Sequence, residues 1–238
     1  MVQTAGRQLG FTPKGDRFED SVELSVVAVD RLGKTRGGER LTLDMPLSEQ
    51  LRAFVVQAGL VFQIRVPLPP GHYQLRVAGR DAGSGRVGSV HCDVDVPDFW
   101  STPLSVSGIV LTAEEAGQIP NPRPDAKLKE LLPASPITTR EFAPSDTITL
   151  FAEVYDNVAG AHVVQIATSV QDEDGRVRFK YEDPRESSEL DGKSGGFTHT
   201  ARIPVGELGP GAYALRVEAR STSNPDVVAS RELTFRVR

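Results

Sequence analysis

The chain has 238 residues, of which 39% are hydrophobic and 25% charged, an ordinary globular composition long enough for two domains with real cores. Lysine and arginine number 27 against 32 acidic residues, and the net charge of −5 speaks against a general nucleic-acid binder. The single cysteine, Cys92, excludes an intrachain disulfide and a cysteine-based zinc site.

The N-terminal stretch MVQTAGRQLGFTPKGDRFED lacks the apolar core of a secretory signal. A cytoplasmic location is expected if Met1 is the true start, and a periplasmic or extracellular one if the chain is part of a longer exported protein. No apolar run of about 18 residues occurs, so no membrane span is expected.

DSVELSVVAVD, Asp20 to Asp30, alternates apolar and polar residues and predicts a half-buried strand, with RLGKTRGG as the turn after it. Ser48 to Leu60 places Leu51, Phe54, Val55 and Ala58 on one helical face behind a candidate Ser48 cap, although its FVV also suits a strand. LPPGHYQLRVAGR, Leu68 to Arg80, predicts a turn at Pro70 and Gly71 and a strand opened by Tyr73, with Leu75 and Val77 inward and Arg76 outward. The strand of Cys92, Val94 and Val96 follows after a turn-rich loop, and its alternation predicts a buried, inert thiol.

A domain boundary is expected near Phe99 to Pro103. Beyond it, LSVSGIVLT predicts a first strand of the second domain, IPNPRPD a loop, and AKLKELL one helical turn. DTITLFAEVYD, Asp146 to Asp156, alternates like Asp20 to Asp30, and the two are expected to be equivalent strands. QDEDGRV, with Asp172, Glu173, Asp174 and Gly175, predicts a hairpin turn rather than a calcium loop. KYEDPRESSELDG, Lys180 to Gly192, predicts a solvated loop. LGPGAYALRVEAR, Leu208 to Arg220, then repeats the thirteen residues from Leu68, with Pro210, Gly211 and Tyr213 in the places of Pro70, Gly71 and Tyr73. A last strand carries Leu233, Phe235 and Val237.

This repetition predicts an all-β chain of two tandem immunoglobulin- or fibronectin-III-like sandwiches with little helix, residues 1–99 and 100–238, the second including a Pro-rich loop at about 119–136. Tyr73 and Tyr213 are expected to be tyrosine corners whose hydroxyls bond the backbone just upstream. No nucleophile elbow, Walker or dinucleotide motif is present, so no catalytic residue and no cofactor is assigned. His72, His91, His162 and His199 are expected on strands or strand edges; His162 and His199 could meet across a sheet as metal ligands, but exposed strand positions are the favoured reading and no metal ligand is assigned. Arg65, Arg76, Arg176, Arg178, Arg202 and Arg216 are expected to stripe outer sheet faces.

ELSVVAVDRLGK, the run from Leu68 to Phe99, PLSVSGIVLT and TLFAEVYDN resemble the C-terminal tandem β-sandwich region of bacterial, Acidobacteria-type VWFA-related domain proteins. The resemblance covers nearly the whole chain and implies an exported, non-enzymatic protein engaged in adhesion or assembly. The D-x-S-x-S metal motif of the von Willebrand factor A domain is absent, so no metal residue carries over. The expected function is a structural or protein-interaction module, its partner an unknown protein or its own N-terminal domain, with no nucleic acid involved. A carbohydrate-binding accessory module is the alternative and a hydrolase a further one. The first of these lacks an evident aromatic platform, with aromatics at 6% and Trp100 alone in the linker.

Overall fold

A computed structural model describes residues 1–113, 119–190 and 195–238. The described residues cluster into two compact units, Met1–Asp98 with Gln118–Asp125, and Phe99–Gly117 with Ala126–Arg238. Both are built of β-sheets packed in sandwich fashion, with little helix. The Pro-rich stretch is therefore divided between the units. Its first part joins the first, where Pro120 accepts from the Val61 N–H at 3.0 Å and Asp125 pairs with Arg65 at 2.5 Å.

In the first unit, β1 is Val2–Thr4, β2 Thr12–Lys14, β3 Arg17–Asp30, β4 Thr35–Leu47, α1 Glu49–Ala58, β5 Leu60–Phe62, β6 Gly71–Asp81 and β7 Val87–Val96. β3 is central: β4 runs along one edge, β6 along the other, with β2 paired to the start of β3, and β7 lies beyond β6, all antiparallel. Among the described residues, the opposing layer is narrow: the β1–β5 pair and α1. α1 begins where Ser48 caps it, the hydroxyl accepting from the Leu51 N–H at 3.3 Å, and Gly59 ends it. Val22, Leu24, Leu41 and Met45 of the large sheet bury against Val55, Leu60, Phe62 and Leu9. Between β1 of this layer and β7 lies an open cavity, lined by Val2 to Thr4 on one side and Val87 to Val90 on the other.

In the second unit, β8 is Leu104–Val106, β9 Val110–Ala113, α2 Ala126–Leu131, β10 Glu141–Phe142, β11 Thr147–Asp156, β12 Val163–Asp172, β13 Val177–Glu186, β14 Phe197–Pro204, β15 Gly211–Ser221 and β16 Val228–Val237. One sheet runs β10-β16-β15-β12-β13 and the other β14-β11, with β8 and β9 both on the far edge of β11. LSVSGIVLT is thus two short strands broken at Gly108, not one. The stretch Lys180 to Gly192 is not a loop at its start: β13 runs through Lys180 to Glu186, and the final two residues lie outside the described residues. Ile148, Leu150 and Val154 from one sheet interdigitate with Ile166, Leu215, Val217 and Phe235 of the other in a full sandwich core.

The internal repeat is real, but its register differs from the expected one. β3 does not correspond to β11. β3 pairs with the tyrosine strand β6, whereas β11 lies in the sheet opposite the tyrosine strand β15, which pairs instead with β12. Asp30 stands opposite Tyr73, and Asp172 opposite Tyr213. A register shift precedes each aspartate, between Ala28 and Val29 and between Val170 and Gln171. In each hairpin the aspartate Oδ1 accepts from the N–H groups two and four residues on, Leu32 and Lys34 in one copy and Asp174 and Arg176 in the other. Gly33 and Gly175 both take φ of 77°, which a side chain would strain. Arg36 and Arg178 lie at the same offset, 2.6 and 3.9 Å from their aspartates. Arg36 and the Lys34 N–H hold the Asp30 carboxyl below its ordinary pKa, the backbone bond contributing most. The period of two marks the buried face of a strand without saying which sheet it joins, so β3 and β11 share an Asp-led alternation while sitting in sheets of different role.

Candidate functional site

The repeated turn places its tyrosines alike. The Tyr73 hydroxyl donates to the Pro69 carbonyl at 2.9 Å, and that of Tyr213 to Gly209 at 3.0 Å and also to Leu208. Gly71 and Gly211 lie under the rings, and at Gly71 a Cβ would stand 3.1 Å from the tyrosine oxygen. Pro70 and Pro210 precede these glycines in the turns. Leu75 and Val77 face the inner side of β6 but are only half-buried, while Leu215 and Val217 are fully buried. Tyr73→Phe and Tyr213→Phe should each cost about 1 kcal/mol in urea unfolding, the scale of one hydrogen bond. Ligand binding should be unchanged.

Two histidines correct the expectation of exposure. His199 is wholly buried between the sheets of the second unit: Nδ1 lies 3.0 Å from Asp183 Oδ2 and Nε2 lies 2.7 Å from Thr168 Oγ1. With the carboxylate accepting at Nδ1, a neutral ring accepts the threonine hydroxyl at Nε2. This is the connectivity of a nucleophile–base–acid relay, but Thr168 is also wholly buried, so no substrate can reach its oxygen. The trio ties β14 to β12 and β13. His162 is buried as well, with Nδ1 2.8 Å from the Gly160 carbonyl and Nε2 3.0 Å from Asp156 but poorly aligned with it. His72 is exposed and pairs with Asp95, and His91 is exposed on β7. Among the described residues, no three histidine, cysteine or carboxylate side chains gather as a metal site would require.

Cys92 also differs from expectation. It is exposed: β7 is the outer strand of its sheet, and its inner face borders an open cavity rather than a packed layer. Its alternation with Val94 and Val96 is correct, but the face they share is largely uncovered.

An acid pair stands in the first unit. Asp20 and Asp81 are both buried, and their carboxyls hydrogen-bond each other. Asp20 also accepts from the N–H groups of Gly10, Ser21 and Gly83, and Asp81 from those of Gly10 and Ser84 and from the Ser84 hydroxyl. Burial, then the bond to Asp81, pushes the Asp20 carboxyl up to about 6. Burial alone would raise Asp81 too, but hydrogen bonds from Asp20, Ser84 and Gly10 outweigh it and hold Asp81 below its ordinary value. Above the ordinary aspartate value near 4, the folded chain keeps a proton at Asp20 that the unfolded chain has released. That stability is complete below pH 4 and is lost as pH rises through about 6. Chemical denaturation should show a loss of about 1–2 kcal/mol between pH 5 and 7.5, and Asp20→Asn, which donates permanently, should flatten it.

The exposed aromatic cluster was missed by the sequence reading. Phe99, Trp100 and Tyr155 converge on the outer face of the β8–β11 sheet, where Tyr155 stands opposite Ser105. The Phe99 and Tyr155 rings are 4.5 Å apart and tilted by 38°, and Trp100 meets Tyr155 edge-on at 6.3 Å. Trp100 is nevertheless 69% exposed. Asn157 Nδ2 holds the segment in place by donating to the carbonyls of Phe99 and Thr102 at 2.9 and 2.8 Å. Tyr155 donates to Glu153 at 3.0 Å, and burial, with the Glu153 charge beside it, pushes its hydroxyl up to about 12. The cluster presents a wide apolar ring rimmed by carboxylate and amide groups.

No protein-family profile matches the chain, and no curated protein matches it. Solved structures do overlap it. Bacteroides uniformis beta-glucuronidase 2, as its D341A D367A calcium binding mutant, is 10% identical over 99% of this chain and 26% of its own, with a TM-score of 0.36. A putative beta-galactosidase from Bacteroides fragilis is 9% identical over 94% and 31%, with a TM-score of 0.34. A glycosyl hydrolase family 2 member from Bacteroides cellulosilyticus is 10% identical over 100% and 26%, also at 0.34. The chain thus spans between a quarter and a third of the length of these structures, and overlaps this loose say nothing about its site.

Proposed function

We propose that the chain is a non-catalytic accessory module that binds neutral polysaccharide, with Trp100 as the stacking surface. One observation carries this: the protein's only tryptophan is held out at 69% exposure while Phe99 and Tyr155 buttress it. A flat indole suits the C–H face of a pyranose ring, and Glu153 and Asn157 stand near enough to the cluster to address hydroxyls. The rim is acidic, and so is the chain as a whole, which favours neutral sugars over uronic ones. The buried Thr168–His199–Asp183 trio supports a structural rather than catalytic role for the most enzyme-like arrangement present. A location outside the cytoplasm, as the VWFA-related resemblance implies, would bring such a module to its polymer.

Affinity electrophoresis of the full chain through gels containing xylan, mannan, β-glucan or galactan tests the proposal. At least one neutral polymer should retard the protein, and Trp100→Ala should abolish the retardation with folding intact by circular dichroism. Polygalacturonate should not retard it. Retardation that survives Trp100→Ala, or none on any neutral polymer, would refute it.

A further inference from the structure

The two units treat the same strand edge differently. β16 of the second unit, the counterpart of β7, has its outer edge covered by β10, paired in parallel at Glu141–Arg236 and Phe142–Val237. β7 has no such cover among the described residues: it pairs with β6 alone. It is ten residues long, and from Val87 to Asp93 every residue is exposed, Val87 and Val90 by 72% and 65%.

Exposed edges are usually blunted by proline, lysine or arginine, or a bulge. The other long outer strands carry such devices. β4 has Arg36, Arg40 and Pro46, and β13 has Lys180, Pro184 and a register shift at its turn end. β7, VGSVHCDVDV, has no proline, no lysine, no arginine and no shift. Of its two acids, Asp95 is already paired with His72.

We infer that β7 is a self-association edge, pairing antiparallel with β7 of a second copy of this chain about a twofold axis through Cys92. A twofold axis perpendicular to the sheet keeps each face on its own side, so opposed residues must share a face, and their numbers sum to an even value. Centring on Cys92 sets His91 opposite Asp93 twice on one face, and Val90 opposite Val94 twice on the other. An imidazole N–H and a carboxylate meet directly, and the valines cover each other. Centring on Asp93 would oppose the two Asp93 carboxylates, and centring on Val94 would set Asp93 against Asp95 twice. Centring on His91 or Val90 leaves the acids without a basic partner.

The backbone agrees. The Asp81 N–H donates to the Arg86 carbonyl at 2.9 Å, which makes that couple a hydrogen-bonded pair and, two residues at a time, extends the same status to Leu75 and Cys92. The N–H and C=O groups of Ser89, His91, Asp93 and Asp95 therefore point away from β6, toward the free edge. In the twofold pairing His91 and Asp93 exchange these bonds, and the two Cys92 residues meet at the closer, non-hydrogen-bonded position. The addition would extend the four-stranded run β4-β3-β6-β7 into a continuous sheet across both copies and lay the valine pairs beside the half-buried Leu75 and Val77 of β6. It uses a different unit from the Trp100 surface, so the two proposals stand or fall separately.

Sedimentation equilibrium of the full chain from 1 to 200 µM under reducing conditions tests the pairing. The mass should rise from 25.8 kDa toward twice that value. His91→Asp, which sets acid against acid, should weaken the dimer at least tenfold, and the exchange His91→Asp with Asp93→His should restore it to within about threefold. Because Cys92 is the only thiol, oxidation of the unaltered protein by diamide at 5 µM gives a second readout free of any folding defect. Two thiols become one disulfide, and their two electrons and two protons pass to the diamide. A covalent dimer should form within minutes, and Val90→Lys should suppress it while leaving the thiol reactive to a maleimide. A mass of 25.8 kDa throughout, a dimer indifferent to His91→Asp, or a reactive thiol that yields no covalent dimer would overturn the inference.

Discussion

His199→Ala is expected to destabilise the second unit by about 3–4 kcal/mol, read as a lowered urea midpoint with an unchanged slope. The ring is fully buried and stacks on Tyr181 at 5.9 Å. Its removal opens a cavity, strands the wholly buried Thr168 hydroxyl, and leaves the partly exposed Asp183 carboxylate to Arg185, 3.8 Å away. An unmet buried polar group costs more than the lost bond itself, because water cannot replace the partner. His199→Gln, which can satisfy one of the two, should cost roughly half as much. His72→Ala and His91→Ala, on exposed strand positions, should stay within about 0.5 kcal/mol of the parent. A cost below about 1 kcal/mol for His199→Ala would mean that the trio does not hold β14 to β12 and β13.

Gly83→Ala should destabilise the first unit by about 3 kcal/mol. A Cβ there would overlap the Gly10 carbonyl oxygen and stand 2.8 Å from Asp20 Oδ1. Gly10 is under the same constraint from the other side, since its own Cβ would overlap the Ser84 backbone nitrogen. The two chains approach this closely because Asp20 takes the N–H groups of both Gly10 and Gly83. The substitution should therefore abolish the pH dependence tied to Asp20 along with the stability, since the clamp that buries the carboxyl would be pushed open. Gly85→Ala is a useful contrast: nothing stands within 4 Å of its Cβ, and the cost there comes only from its φ of 71°. Equal costs at both positions would show that close approach is not what selects glycine at 83.

The sandwich architecture was legible because its signals are local. Pro-Gly-x-Tyr turns and alternating strands state a turn and a face within a dozen residues. The pairing of strands was less legible, since Asp146 to Asp156 and Asp20 to Asp30 carry the same period while belonging to sheets of different role. The correct equivalence was nevertheless written in the turns: DRLGKTR and DEDGRVR share the Asp, the Gly, the basic residue after it and the final Arg. Positional chemistry at a turn outweighs periodicity, because the side-chain cap and the positive φ require particular residues.

Burial at β7 and at His199 depended on what lies opposite, which no single strand records. Cys92 alternates as a core residue does, yet among the described residues the layer opposite its sheet is β1, β5 and α1, and the thiol stays exposed. His199 alternates as Phe197, Ala201 and Ile203 do, and its inward phase was the available clue to burial. The aromatic cluster was illegible for a different reason: Trp100 and Tyr155 are 55 residues apart, and only the β8–β11 pairing brings them together.

The most direct test of sugar binding at Trp100 is acrylamide quenching of the protein's intrinsic tryptophan fluorescence, which arises from that one residue. The free protein should quench strongly, as 69% exposure demands. A saturating neutral hexasaccharide from whichever polymer retards the protein should lower the quenching constant several-fold, because the sugar ring covers the indole. Binding of the hexasaccharide with quenching unchanged would place the site elsewhere and contradict the account.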